Sequence, residues 1–107
     1  MRRLLLPLLA PLMVAGLPAA AAEIAVAAKD DAYAPRTISA RVGDVLKFSN
    51  QDYVDHMVLV PTFGHMVNLG VMKPGQSSPA LPLGKAGTFD VHCVFHPGMK
   101  AKVTVAP

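Results

Sequence analysis

Three side chains that can bind a metal ion lie close together near the end of the sequence, within residues 93–99 (CVFHPGM). Cys93 is the only cysteine in the chain, and His96 and Met99 follow it at intervals of three residues. Copper prefers soft and borderline donors, and a blue-copper site combines two histidines, one cysteine and a weakly bound axial methionine. This short stretch therefore offers three of the four donors that such a site needs.

The residues before this stretch indicate that the cysteine points inward. Phe89, Val91 and Cys93 alternate with polar residues, and in a β-strand alternate side chains share one face. A buried free cysteine is often only a small core residue, and Met99 could likewise fill the core. Here, however, a Pro-Gly pair bends the chain after the strand, so that His96 and Met99 can turn back toward Cys93.

Three further histidines compete for the fourth donor position. His92 is next to Cys93 and therefore faces the opposite side of the strand. His65 lies in a loop flanked by glycine, whereas His56 opens an apolar segment directly after a polar turn. Since a ligand on a strand is held more accurately than one on a loop, His56 is the favoured partner of the cysteine.

The first 22 residues have the composition of a secretory signal peptide. Two arginines precede an apolar run, and the small-residue stretch 19–22 comes before Glu23. We expect cleavage near Ala22, export to the periplasm, and one mature domain that spans residues 23–107. An uncleaved membrane anchor is the alternative. Prolines and a glycine interrupt the run, however, and a spanning helix needs about 20 apolar residues, so stable membrane insertion is not expected.

The composition of the mature domain limits the possible functions. It would carry eight Lys and Arg residues against seven Asp and Glu residues, and it lacks the basic stripe with interleaved aromatics that nucleic-acid binding needs. One cysteine cannot form an internal disulfide, so a small exported domain must gain stability in another way. A bound metal ion would provide it, because binding to the native state adds to folding stability. A monomer is the default expectation.

Two-residue alternation dominates the mature domain, and no helical stripe is visible. The strands that it predicts cover residues 24–28, 37–42, 45–50, 56–60, 78–83, 88–93 and 100–105. Residues 61–79 contain several glycines and prolines and are predicted to be the least regular part of the chain. Seven or eight short strands separated by turns predict an all-β fold, a Greek-key β-sandwich.

The mature domain resembles the small blue-copper proteins, or cupredoxins, of the amicyanin, pseudoazurin and plastocyanin type. Besides residues 93–99 and His56, the resemblance rests on short motifs at residues 42–44, 50–52, 73–75 and 87–89. It implies a type 1 site for one copper ion, Cu(II) or Cu(I). His56, Cys93 and His96 would be the equatorial ligands and Met99 the axial ligand.

The resemblance also implies a function in electron transport. The protein would shuttle single electrons between larger redox proteins, such as a dehydrogenase and a c-type cytochrome. His96 would be the electron exit, and Phe95, Pro97 and Gly98 would form an apolar docking patch around it. The chain departs from its relatives at Met57, where they commonly have Asn or Ser, and at Phe95, where they have proline.

Two other functions are alternatives. The surplus of methionine and histidine at Met57, His65, Met66 and Met72 suggests a periplasmic chaperone or storage protein that binds Cu(I). A copper enzyme would need further copper sites built from paired histidines, and the chain has four histidines and no His-x-His pair. We therefore expect an electron carrier with no catalytic residues, not an enzyme.

Overall fold

The structure, a computed structural model, describes residues 21–62 and 65–107. These residues contain nine β-strands. In chain order they are β1 (Glu23–Lys29), β2 (Ala32–Ala34), β3 (Thr37–Arg41), β4 (Val45–Asn50), β5 (His56–Thr62), β6 (His65–Met72), β7 (Leu81–Pro82), β8 (Gly87–Cys93) and β9 (Lys100–Ala106). The β-branched and aromatic residues of these segments favour strands. The all-β prediction is confirmed, with nine strands in place of seven or eight.

The strands form two mixed sheets, with the orders β2-β1-β4-β7 and β3-β9-β8-β5-β6. β1 runs parallel to β4, and β3 runs parallel to β9. The other pairs are antiparallel. The chain changes sheet five times after β2, so strands that are distant in sequence become neighbours, as in the predicted sandwich.

One apolar core lies between the two sheets. Val26 and Phe48 of the first sheet and Val58, Val91 and Val103 of the second are completely buried and belong to the same cluster. Along β8 and β9 every second side chain is buried, as a period of two predicts. Full burial of an aliphatic side chain of this size stabilises the fold by about 1.5–3 kcal/mol.

Two of the strands are not predicted from the sequence. β2 has only three residues, and β6 lies within residues 61–79, which the sequence predicts to be the least regular part. β6 is the outer strand of its sheet and pairs with β5 across a register shift between Met57 and Leu59. Gly70 in β6 has a φ of +88°. An edge strand with an irregular register does not need strict alternation, so its periodicity is weak.

The predicted signal peptide lies almost entirely outside the described residues, and both its cleavage and the boundary of the mature domain stay predictions. Glu23, the first residue of that domain, is also the first residue of β1. Within residues 21–62 and 65–107, the structure has no helix that could cross a bilayer.

Candidate metal centre

Strand pairing brings His56 to the cysteine. His56 is the first residue of β5, and its side chain is completely buried. Val58 lies opposite Cys93 in the antiparallel pair of β5 and β8. Because alternate residues of a strand share a face, His56 points to the same side as Val58 and continues past the end of β8. It therefore meets the segment that follows Cys93.

A tight turn after Cys93 carries the other two predicted donors. The N–H of Met99 donates to the carbonyl oxygen of His96 at 3.0 Å, and the N–H of Cys93 donates to the carbonyl oxygen of Met99 at 3.3 Å. The N–H of Val94 donates to the carbonyl oxygen of Met57 at 3.2 Å and ties the turn to β5. The turn thus returns Met99 to the interior, where it is 3% exposed.

Three donor groups converge in the space between β5 and this turn. The Sγ of Cys93 lies 3.5 Å from Nδ1 of His56 and 3.6 Å from Nδ1 of His96. The donor atoms of the three residues all lie within 4.8 Å of one another. The two imidazole rings are tilted by 52°, with their centroids 4.7 Å apart. Cys93 itself is 5% exposed, so the centre is shielded from solvent on its sulfur side.

These separations fit a single bound ion. A thiolate and an imidazole bound to one first-row metal ion at about 2.3 and 2.0 Å lie roughly 3.4–3.8 Å apart for angles between 105° and 120°. The observed distances of 3.5 and 3.6 Å fall in this range. One thiol and two imidazoles, together with a methionine, are the donor set of blue copper.

The outer nitrogen of each histidine faces a carboxylate. Nε2 of His56 lies 3.1 Å from Oδ2 of Asp52, and Nε2 of His96 lies 3.3 Å from Oδ1 of Asp31. The N–H of Asp31 also donates to Oδ2 of Asp52 at 3.3 Å. A carboxylate at the outer nitrogen orients an imidazole ligand, so these contacts favour rings whose Nδ1 atoms face Cys93.

Local hydrogen bonds keep the carboxylate of Asp52 charged. Its pKa is lowered, first by the N–H of Tyr53 and then by the side chain of His56 and the N–H of Asp31. The N–H of Asp52 in turn donates to Oδ1 of Asn50 at 2.9 Å. Contacts within its own loop therefore hold Asp52 in place independently of its contact with His56.

Both aspartates are absent from the sequence-based site. Asp31 has no role in the prediction, and Asp52 belongs there only to a polar turn and to the motif at residues 50–52, although it stands four residues before His56. That spacing predicts a contact in a helix but not in a loop. Asp31 is 65 positions from His96, and no local pattern indicates that they meet.

The remaining candidate donors have other surroundings. His92 is partly buried, and its carbonyl oxygen accepts the hydroxyl of Tyr33 at 3.1 Å. Burial raises the pKa of that hydroxyl well above its ordinary value. The side chain of His65 lies outside the described part of the structure. Met72 is buried in the core, whereas Met66 is 61% exposed.

Exposed residues surround the outer edge of the centre. The side chain of His96 is 24% exposed. Its neighbours Phe95, Pro97 and Gly98 are all exposed, with Phe95 at 46%. The predicted docking patch therefore lies at the surface, and an aromatic ring beside a partly exposed imidazole gives it an apolar character.

Comparisons with known proteins agree with this geometry. A family model described as a cupredoxin-like domain matches residues 3–105. Amicyanin from Paracoccus denitrificans is 34% identical over 75 residues, which make up 68% of this chain and 57% of that protein. The match therefore spans less than two thirds of that relative's length.

Solved structures with the same fold are also similar to this chain. A proline-to-phenylalanine variant of amicyanin in the reduced state superposes with a TM-score of 0.71 at 30% identity, over 85% of this chain and 87% of that one. A purple cupredoxin from Nitrosopumilus maritimus gives a TM-score of 0.68 at 20% identity, over 78% of this chain and 99% of that one. At this low identity, the similarity to the purple cupredoxin indicates a shared fold and no more.

A β-sandwich with one thiol, two imidazoles and a buried methionine brought together has the fold and the donor set of a small copper protein. The chain belongs to the cupredoxin-like family, since the family model covers nearly all of it. The predicted resemblance to blue-copper proteins is confirmed, and so is the prediction of a copper cofactor.

Proposed function

We propose that this protein is a one-electron carrier with a type 1 copper site. His56, Cys93, His96 and Met99 would hold the copper ion. The observation that carries the proposal is the pair of Sγ–Nδ1 distances of 3.5 and 3.6 Å between Cys93 and the two histidines. Strands and backbone hydrogen bonds of the fold hold these donors together.

The residues around the site suit electron transfer. When bound, copper supplies the Cu(II)/Cu(I) couple, and the ligands have only to remain in place while the electron moves. His56 is fixed at the start of a buried strand, and the turn of His96 and Met99 is closed by two backbone hydrogen bonds. Burial of Cys93 lowers the dielectric constant around the thiolate and tunes the potential. Four protein ligands leave no open position for a substrate, so no catalytic residue is proposed.

The electron leaves through the ring of His96. This side chain is partly exposed, whereas His56 and Cys93 are buried. Phe95, Pro97 and Gly98 form the apolar patch against which a redox partner docks. The donor and acceptor are larger redox proteins, such as a dehydrogenase and a c-type cytochrome, and the carrier acts as a monomer.

The place of action is the periplasm. Residues 1–22 have the basic start, apolar middle and small-residue end of a signal peptide. Removal of this segment leaves a domain with nearly balanced charge. N-terminal sequencing of the exported protein tests this assignment, and a mature chain that still starts at Met1 would contradict it.

An absorption and electron paramagnetic resonance spectrum of the copper-loaded protein tests the site. We expect an intense blue band from the Cys93 thiolate and a narrow copper hyperfine splitting. Cys93→Ser should abolish the band, and His92→Asn is the matched control that should retain it. A colourless copper-loaded protein, or full colour in Cys93→Ser, would rule out the proposed site.

A periplasmic chaperone or storage protein for Cu(I) is the second candidate function. It would need several accessible thioethers, and Met66 is exposed. Met72 is buried and Met57 is partly buried, which favours the carrier. Repeated oxidation and reduction without loss of copper would support a carrier, whereas ready transfer of Cu(I) to a chelator would support a chaperone.

A further inference from the structure

A continuous set of contacts joins the outer nitrogens of the two histidines. Nε2 of His56 lies 3.1 Å from Oδ2 of Asp52, and the same oxygen accepts the N–H of Asp31 at 3.3 Å. Oδ1 of Asp31 lies 3.3 Å from Nε2 of His96. Asp31 therefore contacts His96 directly through its carboxylate, and it is joined to His56 through Asp52, which accepts its backbone N–H.

The turn between β1 and β2 presents Asp31 in this position. Lys29 pairs with Ala32, so Asp30 and Asp31 form a two-residue hairpin loop. Their φ angles are +53° and +56°. Positive φ at both positions is typical of a type I′ hairpin turn, and aspartate is one of the few residues other than glycine that tolerate it. The backbone thus projects the carboxylate of Asp31 from a closed turn instead of a long loop.

Other charged groups surround this carboxylate. Arg36 and Lys100 line a shallow cavity together with Asp31, Gly98 and Met99. Within the described part of the chain, the partner of Asp31 in an ion pair shorter than 4 Å is His96. The carboxylate therefore faces the histidine although two permanent cations lie near it.

We propose that Asp31 is a positioning residue of the metal centre that links its two histidines and stabilises Cu(II). This inference rests on the proposed function, in which both histidines are copper ligands. The carboxylate holds the hydrogen of His96 at Nε2 and leaves the lone pair of Nδ1 for the metal. Its negative charge favours the more positive oxidation state of the copper, so Asp31 lowers the reduction potential.

Two substitutions separate the charge of Asp31 from its contact. Asp31→Asn keeps an oxygen acceptor and the tolerance of positive φ, and removes only the charge. Asp31→Gly removes both the charge and the side-chain contact, and glycine also adopts the positive φ of this turn. Asp30→Asn and Asp30→Gly are the matched controls, because they make the same changes one residue earlier in the same exposed turn.

Two measurements test the proposal. In the metal-free protein, long-range nitrogen–proton NMR reports the tautomer of His96. We expect the Nε2–H form in the wild type and a mixture in Asp31→Gly. In the copper-loaded protein, the Cu(II)/Cu(I) ratio at a fixed ambient potential should fall about three- to tenfold in Asp31→Asn, a modest effect for an outer contact of a metal ligand. The Asp30 variants should change this ratio less than twofold.

The proposal requires both the change in the tautomer of His96 and the fall in the Cu(II)/Cu(I) ratio. It is overturned if Asp31→Asn has the potential of the wild type, if Asp30→Asn shifts the potential as much as Asp31→Asn, or if the tautomer of His96 is the same in Asp31→Gly. Failure of the proposed function is a separate result, since it would appear as a colourless copper-loaded wild type. The NMR measurement needs no copper and tests the contact in either case.

Discussion

The side chain of Asn50 donates to the carbonyl oxygen of Met72 at 2.7 Å. The same amide group donates to the carbonyl oxygen of Val54 at 2.8 Å, and its Oδ1 accepts the N–H of Asp52. Asn50 is 1% exposed. One buried side chain therefore connects the end of β4, the end of β6 and the loop that leads to His56.

Asn50→Ala should destabilise the fold and weaken copper binding. It leaves the buried carbonyl of Met72 without this donor, which costs about 1–3 kcal/mol, and it frees the loop that ends at His56. Urea unfolding of the metal-free protein measures the first effect, and competition with a copper chelator measures the second. Gln51→Ala removes an exposed neighbouring amide and should change stability by less than about 0.5 kcal/mol. Equal effects of the two substitutions would contradict this role of Asn50.

Gly98→Ala should destabilise the ligand turn through its backbone alone. The φ of Gly98 is +93°, and a Cβ added there would meet no atom within 4 Å. The cost of a side chain at such a φ is about 1–2 kcal/mol. Gly84 also has open space around its Cβ position, but its φ is not in the left-handed region.

The pair Gly98→Ala and Gly84→Ala therefore isolates the conformational cost from any steric clash. Thermal or urea unfolding should show a loss of stability in the first variant and little change, or a slight gain, in the second. A stable Gly98→Ala protein with unaltered copper spectra would mean that the turn adopts another backbone conformation.

Met99→Leu should keep the blue colour and raise the reduction potential. Leucine has nearly the volume of methionine, so the fold should lose less than about 1.5 kcal/mol. The axial thioether tunes the potential of a blue site, and its loss favours Cu(I). Redox titration should give a Cu(II)/Cu(I) ratio that falls severalfold at a fixed ambient potential.

Met72→Leu is the control for this substitution, because Met72 is 1% exposed and has the same side chain. It should leave the potential unchanged. If both variants shift the potential equally, the effect comes from packing, and Met99 is not the axial ligand.

The carboxylate of Asp44 should make stability depend on pH. It accepts the N–H groups of Ala22 and Arg41, each at 3.0 Å, and these bonds lower its pKa below the ordinary value of 3.8. A lowered pKa in the folded state stabilises the fold above the pKa of the unfolded state. This stabilisation is lost as the pH falls through the lower, folded value.

Asp44→Asn should therefore lower the urea midpoint at pH 7, and its difference from the wild type should shrink below about pH 4. The contact with Arg41 lies within the predicted mature domain and persists after cleavage near Ala22. Glu23→Gln removes an equal charge from an exposed side chain and serves as the control. A difference that stays constant from pH 7 to pH 3 would refute the ionic explanation.

Much of the fold follows from local pattern. The alternation in β8 and β9 predicts their buried faces, because a strand with one face in the core repeats every two residues. β6 could not be predicted in this way. It is an edge strand with a register shift, so solvent and core do not impose a regular pattern on it.

The sequence by itself determined the kind of centre, because Cys93, His96 and Met99 are neighbours along the chain and their spacing restricts them to one turn. It also favoured His56, although only the register of β5 with β8 places that ring beside the cysteine. The tertiary structure alone decided that Asp31 reaches His96. That contact joins two turns 65 positions apart, and its geometry depends on how the two packed sheets align, which no local spacing encodes.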